Sequence, residues 1–482
     1  MPGLLWLTAA AVAGLGSWVL YDALPGVNWL LWTAASVAGL LGFARSRGRP
    51  HPSLLVVGGT AIVIAGGAAV TASPRLWALI CLAIIFLLSV LMLLATGLSL
   101  RSITIRFAVT APLVAFLNAA TQVGRRVVRA TQLTRSTRGR AWVRGLVLTV
   151  PVLIIFALLL AGADPVFAGW RDYIVALIQS WEFVPRAVFF VALLVVVLGA
   201  YGYASPDAGT PLPITLASSS PQPPRRWLGS TERLILLGGV AALFWLFLAL
   251  QLGYLFGNLP RLPNSGVTFA EYARRGFGEL SVVASASALL IVGSERYGSP
   301  DGRARILRLV TFAVIAAVLL LLGSAFRRVW LYEQAYGFTT ARLYAQVYMI
   351  AVAAALGALW LEVGGSLDVD RLFRRVFATT TILFIVLIYW NHEAWIARRN
   401  IERFASTGKL DVAYLTQELS PDAFAAIAER LSSLPEPIRS DLVRSLRERP
   451  AARPEENRPR AWFEWNLASS RAQEALSTSI PP

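Results

Sequence analysis

Apolar stretches of about 17 to 22 residues recur through the first four-fifths of this chain, each long enough for one helix to cross a roughly 30 Å hydrocarbon core. Inside lipid a backbone satisfies its polar groups only as a helix or a closed barrel. Runs of this length without period-2 alternation therefore predict an all-α fold, a polytopic transmembrane helix bundle. About eleven spans can be laid down: Gly3–Leu20, Gly26–Phe43, Ser53–Val70, Leu76–Ala95, Gly145–Gly162, Val184–Tyr203, Leu234–Leu252, Glu279–Val292, Leu309–Phe326, Leu343–Leu361 and Val376–Trp390. A hydrophobic fraction of 56% against 15% charged residues agrees. No Lys or Arg precedes the first stretch, so it reads as a retained span and not as a cleaved signal.

The formal charge of +17 raises the question of a nucleic-acid partner, and its distribution answers it. Residues 1–390 hold 31 basic and 14 acidic residues, whereas 391–482 hold 13 of each. With Met1 in the cytoplasm, 22 of those 31 fall in the inward loops and nine in the outward ones. That is the asymmetry of the positive-inside rule, which predicts a multi-pass membrane protein with a cytoplasmic N-terminus and an extracytoplasmic C-terminus. No nucleic-acid partner is expected.

The chain divides accordingly into an N-terminal four-span segment (1–96), a basic cytoplasmic amphipathic segment (97–144), spans five and six (145–203), a flexible Pro- and Ser-rich cytoplasmic linker (204–233), a five-span segment (234–390) and a helical extramembrane tail (391–482). Within the second of these, Phe107–Val123 is semi-apolar and flanked by arginines. It reads as a helix on the inner surface, with a true span as the alternative. Arg125, Arg126 and Arg129 would then meet anionic lipid headgroups. In the tail, Ser420-Pro421-Asp422 reads as an N-cap with proline at the first helical position, Leu434-Pro435-Glu436-Pro437 as a stop and restart, and Arg460–Leu476 as a last helix.

Chemistry is sparse. The span centres carry no Asp, Glu, Lys or Arg, which disfavours ion-coupled transport. Cys81 is alone, and His51 and His392 fall on opposite faces, so no metal site, cofactor or nucleophile–base pair is expected. What remains is a charged and aromatic set in the outward loops: Asp164, Glu271, Arg274, Arg275, Glu279, Arg327, Arg328, Glu333 and Arg342. It reads either as an ion-pair network closing the bundle or as a ligand-binding pocket for an anionic headgroup or glycan.

The stretches ADPVF (163–167), FAEYARRGFGEL (269–280), YEQAYGFTTARL (332–343) and NIERFASTGKLDVAYLTQELSPDAF (400–424) resemble, in order, the bacterial polytopic membrane proteins of domains of unknown function 4153 and 4173. The resemblance implies a multi-span inner-membrane protein with a small helical tail, and it carries no catalytic residue. Its motif positions here are Arg398, Asn400, Glu402, Arg403, Gly408, Asp411, Tyr414, Leu415, Ser420, Asp422 and Ala423, with Glu393 standing where the family has Asp. The expected function is a non-enzymatic membrane component binding a protein or envelope ligand through outer loops and tail. A transporter or channel, and a membrane enzyme acting on a lipid-linked phosphate or sugar, are the alternatives.

Overall fold

The computed structural model describes residues 2–48, 51–130, 183–206, 226–255, 269–299, 304–365, 367–449 and 460–479, with a few single positions between 149 and 170; for 127–130, 252–255 and 269–277 it describes the backbone. The described helices of seven or more residues are α1 Pro2–Leu20, α2 Val27–Arg45, α3 Pro52–Gly66, α4 Pro74–Leu94, α5 Ile105–Ala130, α6 Phe183–Ala204, α7 Ser230–Leu255, α8 Phe269–Tyr297, α9 Ala304–Tyr336, α10 Thr340–Gly364, α11 Val369–Tyr389, α12 His392–Thr407, α13 Phe424–Arg430, α14 Glu436–Arg447 and α15 Leu467–Ser479. No strand occurs among the described residues, so the chain is an all-α polytopic bundle.

Eleven described helices are long and apolar enough to cross a membrane. Ten coincide with the expected spans. The eleventh is Ile105–Arg126, and the expected span Gly145–Gly162 lies largely outside the described residues. Large apolar side chains stand on the outer faces, among them Leu79, Leu82 and Ile85 of α4 and Leu243, Leu246 and Leu250 of α7. Such continuous apolar exposure suits hydrocarbon and not water.

Two compact units divide the described helices. The first holds α1 to α6 and residues 460–467. Small residues let its helices approach closely: a Cβ on Gly58 of α3 would lie 2.8 Å from the Val37 side chain of α2, and one on Gly39 would meet the Tyr201 ring of α6. Asn28, fully buried, accepts from Gly26 N–H and donates to Val19 and Leu24 carbonyls, which ties the α1–α2 turn. Asn466 does the same from far along the chain, donating to Ala68 O and Thr71 O at 2.9 Å, while Trp465 O accepts from Val27 N–H at the start of α2. These bonds hold 460–466 in a form other than the single helix expected over Arg460–Leu476: a short 3-10 turn, Trp462–Glu464, precedes α15.

α5 has an unusual position in this unit. Five residues before it begins, Leu100 N–H donates to Ser53 Oγ at the start of α3. At its other end Arg126 donates to Gly202 O and Ser205 Oγ, and Ser205 O accepts from Arg47, which lies in the α2–α3 connection that leads into Ser53. Its outward face is Val109, Leu113 and Phe116, and its inward face carries Asn118, Gln122 and Arg126.

The second unit is built around α9, whose Val314, Val318, Leu321, Ala325 and Val329 are buried against α7, α8 and α10. At the α10–α11 turn Glu362, 1% exposed, accepts from Arg371 and Arg375, and Asp368 caps α11 by accepting from Asp370 and Arg371 N–H. α11 is followed at once by the tail helices α12 to α14.

Candidate functional site

The segment Phe326–Tyr344, expected as a loop, is mostly helix. α9 runs for 33 residues, about 50 Å, and so projects well past a bilayer core. Its polar letters concealed a periodic face: Val329 and Glu333 are buried while Trp330 and Tyr336 are exposed. Gly337 ends the helix with φ +87°, its N–H bonded to Glu333 O at 2.8 Å. Phe338 and Thr339 then turn the chain into α10, with the Thr339 hydroxyl accepting from Arg342 N–H.

Two helix ends meet in this turn, and each leaves backbone groups without intrahelical partners. The tail supplies those partners. Asn400 of α12 accepts from Phe338 N–H and donates to Phe338 O, both at 2.8 Å. Arg403 donates through Nε to Gln334 O at 2.8 Å and through Nη2 to Ala335 O, putting a cation at the negative end of α9. Tyr414 accepts Thr340 N–H at 2.8 Å at the start of α10. Arg342 donates to Gly337 O with its guanidinium 4.2 Å above the Tyr332 ring. Three of the family-motif residues are thus caps delivered from another part of the chain.

Other tail positions hold the tail itself together. Asn391 caps α12 by accepting from Ala394 N–H and donates to Asp422 O, and buried Glu393 accepts from Ser420 N–H. Gly408 closes α12 with φ +62°, and Asp411 accepts Tyr414 N–H at 2.9 Å, as a cap should. Ser420 donates to Asp422 and accepts its N–H ahead of Pro421. Arg398 and Glu402 make surface pairs with Glu429 and with Arg399 and Arg430. Lys409 is exposed. His392 is not a surface residue: it is 2% exposed, 3.2 Å from the Tyr344 hydroxyl, and burial pushes its imidazole below the usual range against the opposing pull of Glu393.

Docking α12 on α9 and α10 encloses a pocket of about 540 Å³. Phe326, Trp330, Phe338 and Trp395 give it aromatic walls, Gln346 and Glu333 a polar floor, and Arg399, Glu402 and Arg403 a charged rim. Glu333 is 1% exposed; its Oε2 accepts from Gln346 at 2.6 Å, and its Oε1 is enclosed with no partner among the described residues. Trp395 packs edge-on against Phe338 at 5.2 Å and carries the Arg399 guanidinium on its face. Trp330 and Phe326 remain 49% and 37% exposed, so the aromatic wall is open to an incoming group.

Of the outer set expected from sequence, Glu333 and Arg342 come together with the tail motif. Arg327 and Glu279 are exposed; Glu271, Arg274 and Arg275 lie on the described backbone of α8; Asp164 is outside the described residues. Of the three arginines expected at lipid headgroups, Arg126 is turned inward, 8% exposed, because its guanidinium serves the α6 carbonyl end; Arg125 is half-buried, and the side chain of Arg129 lies outside the described residues. Trp330, Gln346 and Trp395, which line this pocket, and buried His392 stand outside the set expected from sequence. An amide facing a carboxylate from the next helix leaves no signal in one chain's letters. Among the described residues no three His, Cys, Asp or Glu gather as metal ligands.

A family model, Domain of unknown function (DUF4153), matches residues 58–430. The match covers most of the chain, including the tail motif up to the end of α13, and the chain belongs to that family. No curated protein and no solved structure matches it.

Proposed function

We propose that this DUF4153 member is a membrane-embedded binding component, and that its pocket between α9, α10 and α12 takes a hydroxyl-rich envelope ligand, a glycan. Glu333 carries the reading: a buried carboxyl oxygen without a partner among the described residues faces a half-open aromatic wall. Sugars offer apolar C–H faces to aromatic rings and hydroxyl donors to carboxyl and amide oxygens, and a few convergent polar groups in an aromatic pocket are the usual makings of such a site.

The tail end of the second unit is read as extracytoplasmic. Arg226, Arg233, Arg296, Arg305, Arg308, Arg371, Arg374 and Arg375 all stand at the helix ends remote from α12, which supports a cytoplasmic location for those ends. α5, tied at both ends to one end of the first unit, is read as lying along the inner surface of a cell membrane, with Arg125 toward anionic headgroups. Met1 and the tail then fall on opposite sides.

Saturation-transfer NMR on the purified full chain with a panel of soluble neutral and acidic oligosaccharides tests the ligand. Transfer to sugar ring protons that weakens in Trp330→Ala, at unchanged melting temperature, is the expected result. No transfer to any oligosaccharide, or equal transfer in wild type and variant, would sink the reading.

A further inference from the structure

The opposite end of the second unit holds a second cavity of about 540 Å³, where the start of α7, the end of α8, the start of α9 and the α10–α11 turn meet. Four charged residues line it: Arg226, Arg233, Glu295 and Arg308. Arg233 is the inner one. It is 6% exposed and pairs with Glu295 through one Nη, while its Nε is enclosed and donates to nothing among the described residues. A buried guanidinium with an unused donor is an unusual thing for a fold to keep, because an unmet buried donor is destabilising, the more so when charged.

Two exposed cations reinforce it. Arg226 and Arg308 stand at the mouth, and neither has a partner among the described residues. Glu295 cancels one of the three arginines, so among the described residues the lining is left with two positive charges. Ala304, the first residue of α9, also lines the cavity, adding the positive end of a 33-residue helix. The wall opposite is fixed: Leu228 N–H donates to Tyr297 O and Ser299 N–H to Leu228 O, pinning the α7 lead-in to the end of α8. Beside it Trp227, 68% exposed, packs 6.3 Å from the Tyr297 ring, which is how aromatics sit at headgroup level.

We propose that this cavity binds a phosphate-bearing anion, held by the forked donors of Arg226, Arg233 and Arg308 at the start of α9. Guanidinium forks match phosphate oxygens, and the volume exceeds that of bare phosphate, leaving room for what the phosphate is attached to. The anion is either a lipid headgroup entering past Trp227 or a free phosphate compound entering from solvent.

The test uses the full chain in nanodiscs of phosphatidylcholine containing a minor fraction of phosphatidylglycerol, compared with the double variant Arg226→Gln/Arg308→Gln. Both positions are exposed, so the variant is expected to fold, and its melting temperature checks this. Native mass spectrometry reads retained lipid, and titration calorimetry reads inorganic phosphate. A lipid source predicts selective retention of phosphatidylglycerol, reduced at least about tenfold in the variant and undisturbed by millimolar phosphate. A free source predicts phosphate binding weakened by the same factor, with no lipid selectivity. Wild type that retains neither, or a variant equal to wild type, overturns the proposal.

Discussion

Asn400→Ala should release the tail from the α9–α10 turn without disturbing the bundle beneath. The residue is 8% exposed and makes two 2.8 Å bonds to the backbone of Phe338. Truncation leaves that N–H and carbonyl in a buried place with no substitute donor or acceptor, at about 1 to 2 kcal/mol each after partial rehydration. The two together come to about 2 to 4 kcal/mol, roughly a 30- to 1000-fold rise in the population of the undocked tail. Because Arg403 and Tyr414 bind the same turn from the same side, the loss falls on docking as a unit and not on global unfolding. Hydrogen exchange on the full chain in nanodiscs reads it directly: peptides covering Gly337–Thr340 and α12 should exchange faster by that factor, while peptides from α9 before Phe326 stay unchanged. Asn400→Asp, which keeps the acceptor and loses the donor, should show about half the effect in free energy. Exchange within about threefold of wild type in Asn400→Ala would refute the capping argument.

Further outcomes follow from the same geometry. Gly337→Ala introduces a Cβ at φ +87° and 2.7 Å from Asn400 Oδ1, so it should undock the tail by about 1 to 2 kcal/mol in wild type and by less in an Asn400→Ala background, where the clash is gone; additive exchange effects would deny the contact. His392, held below its ordinary value by burial, binds its proton less readily in the fold than in the unfolded chain. Tail stability is therefore full above about pH 6.5 and is lost as pH falls below that, and His392→Phe should abolish this part of the acid response in a pH series of exchange measurements. In a Cys81→Ser background, Ser406→Cys should react with a membrane-impermeant maleimide in intact cells and Trp227→Cys only after permeabilisation; the reverse pattern would invert the assigned orientation.

The spans were legible because hydrocarbon demands an unbroken apolar run, and ten of the expected runs are helices with apolar outer faces. The cap at Ser420-Pro421 was legible too, because it is local grammar, decided within four residues. The extension of α9 was not, since FRRVWLYEQAY is polar enough to read as loop while its buried stripe, Val329 and Glu333, is only two letters long. Nor was the role of Asn400 or Arg403 visible. Their partners are backbone atoms more than 60 residues away, and a backbone carbonyl has no letter. The pocket itself required knowing that α12 lies over the α9–α10 turn, a tertiary fact that brings Trp395 to the same cavity as Trp330 and Glu333.

One consequence belongs to the order of synthesis. The start of α2 and the turn after α3 wait for Trp465 and Asn466, which leave the ribosome about 400 residues later. Until then Val27 N–H and the Ala68 and Thr71 carbonyls must be served by water or by an insertase. The helices α2 and α3 thus reach their final hydrogen bonding long after they are made, and a chain truncated before residue 460 should insert normally yet leave the α1–α2 and α3–α4 turns open to quality-control proteolysis.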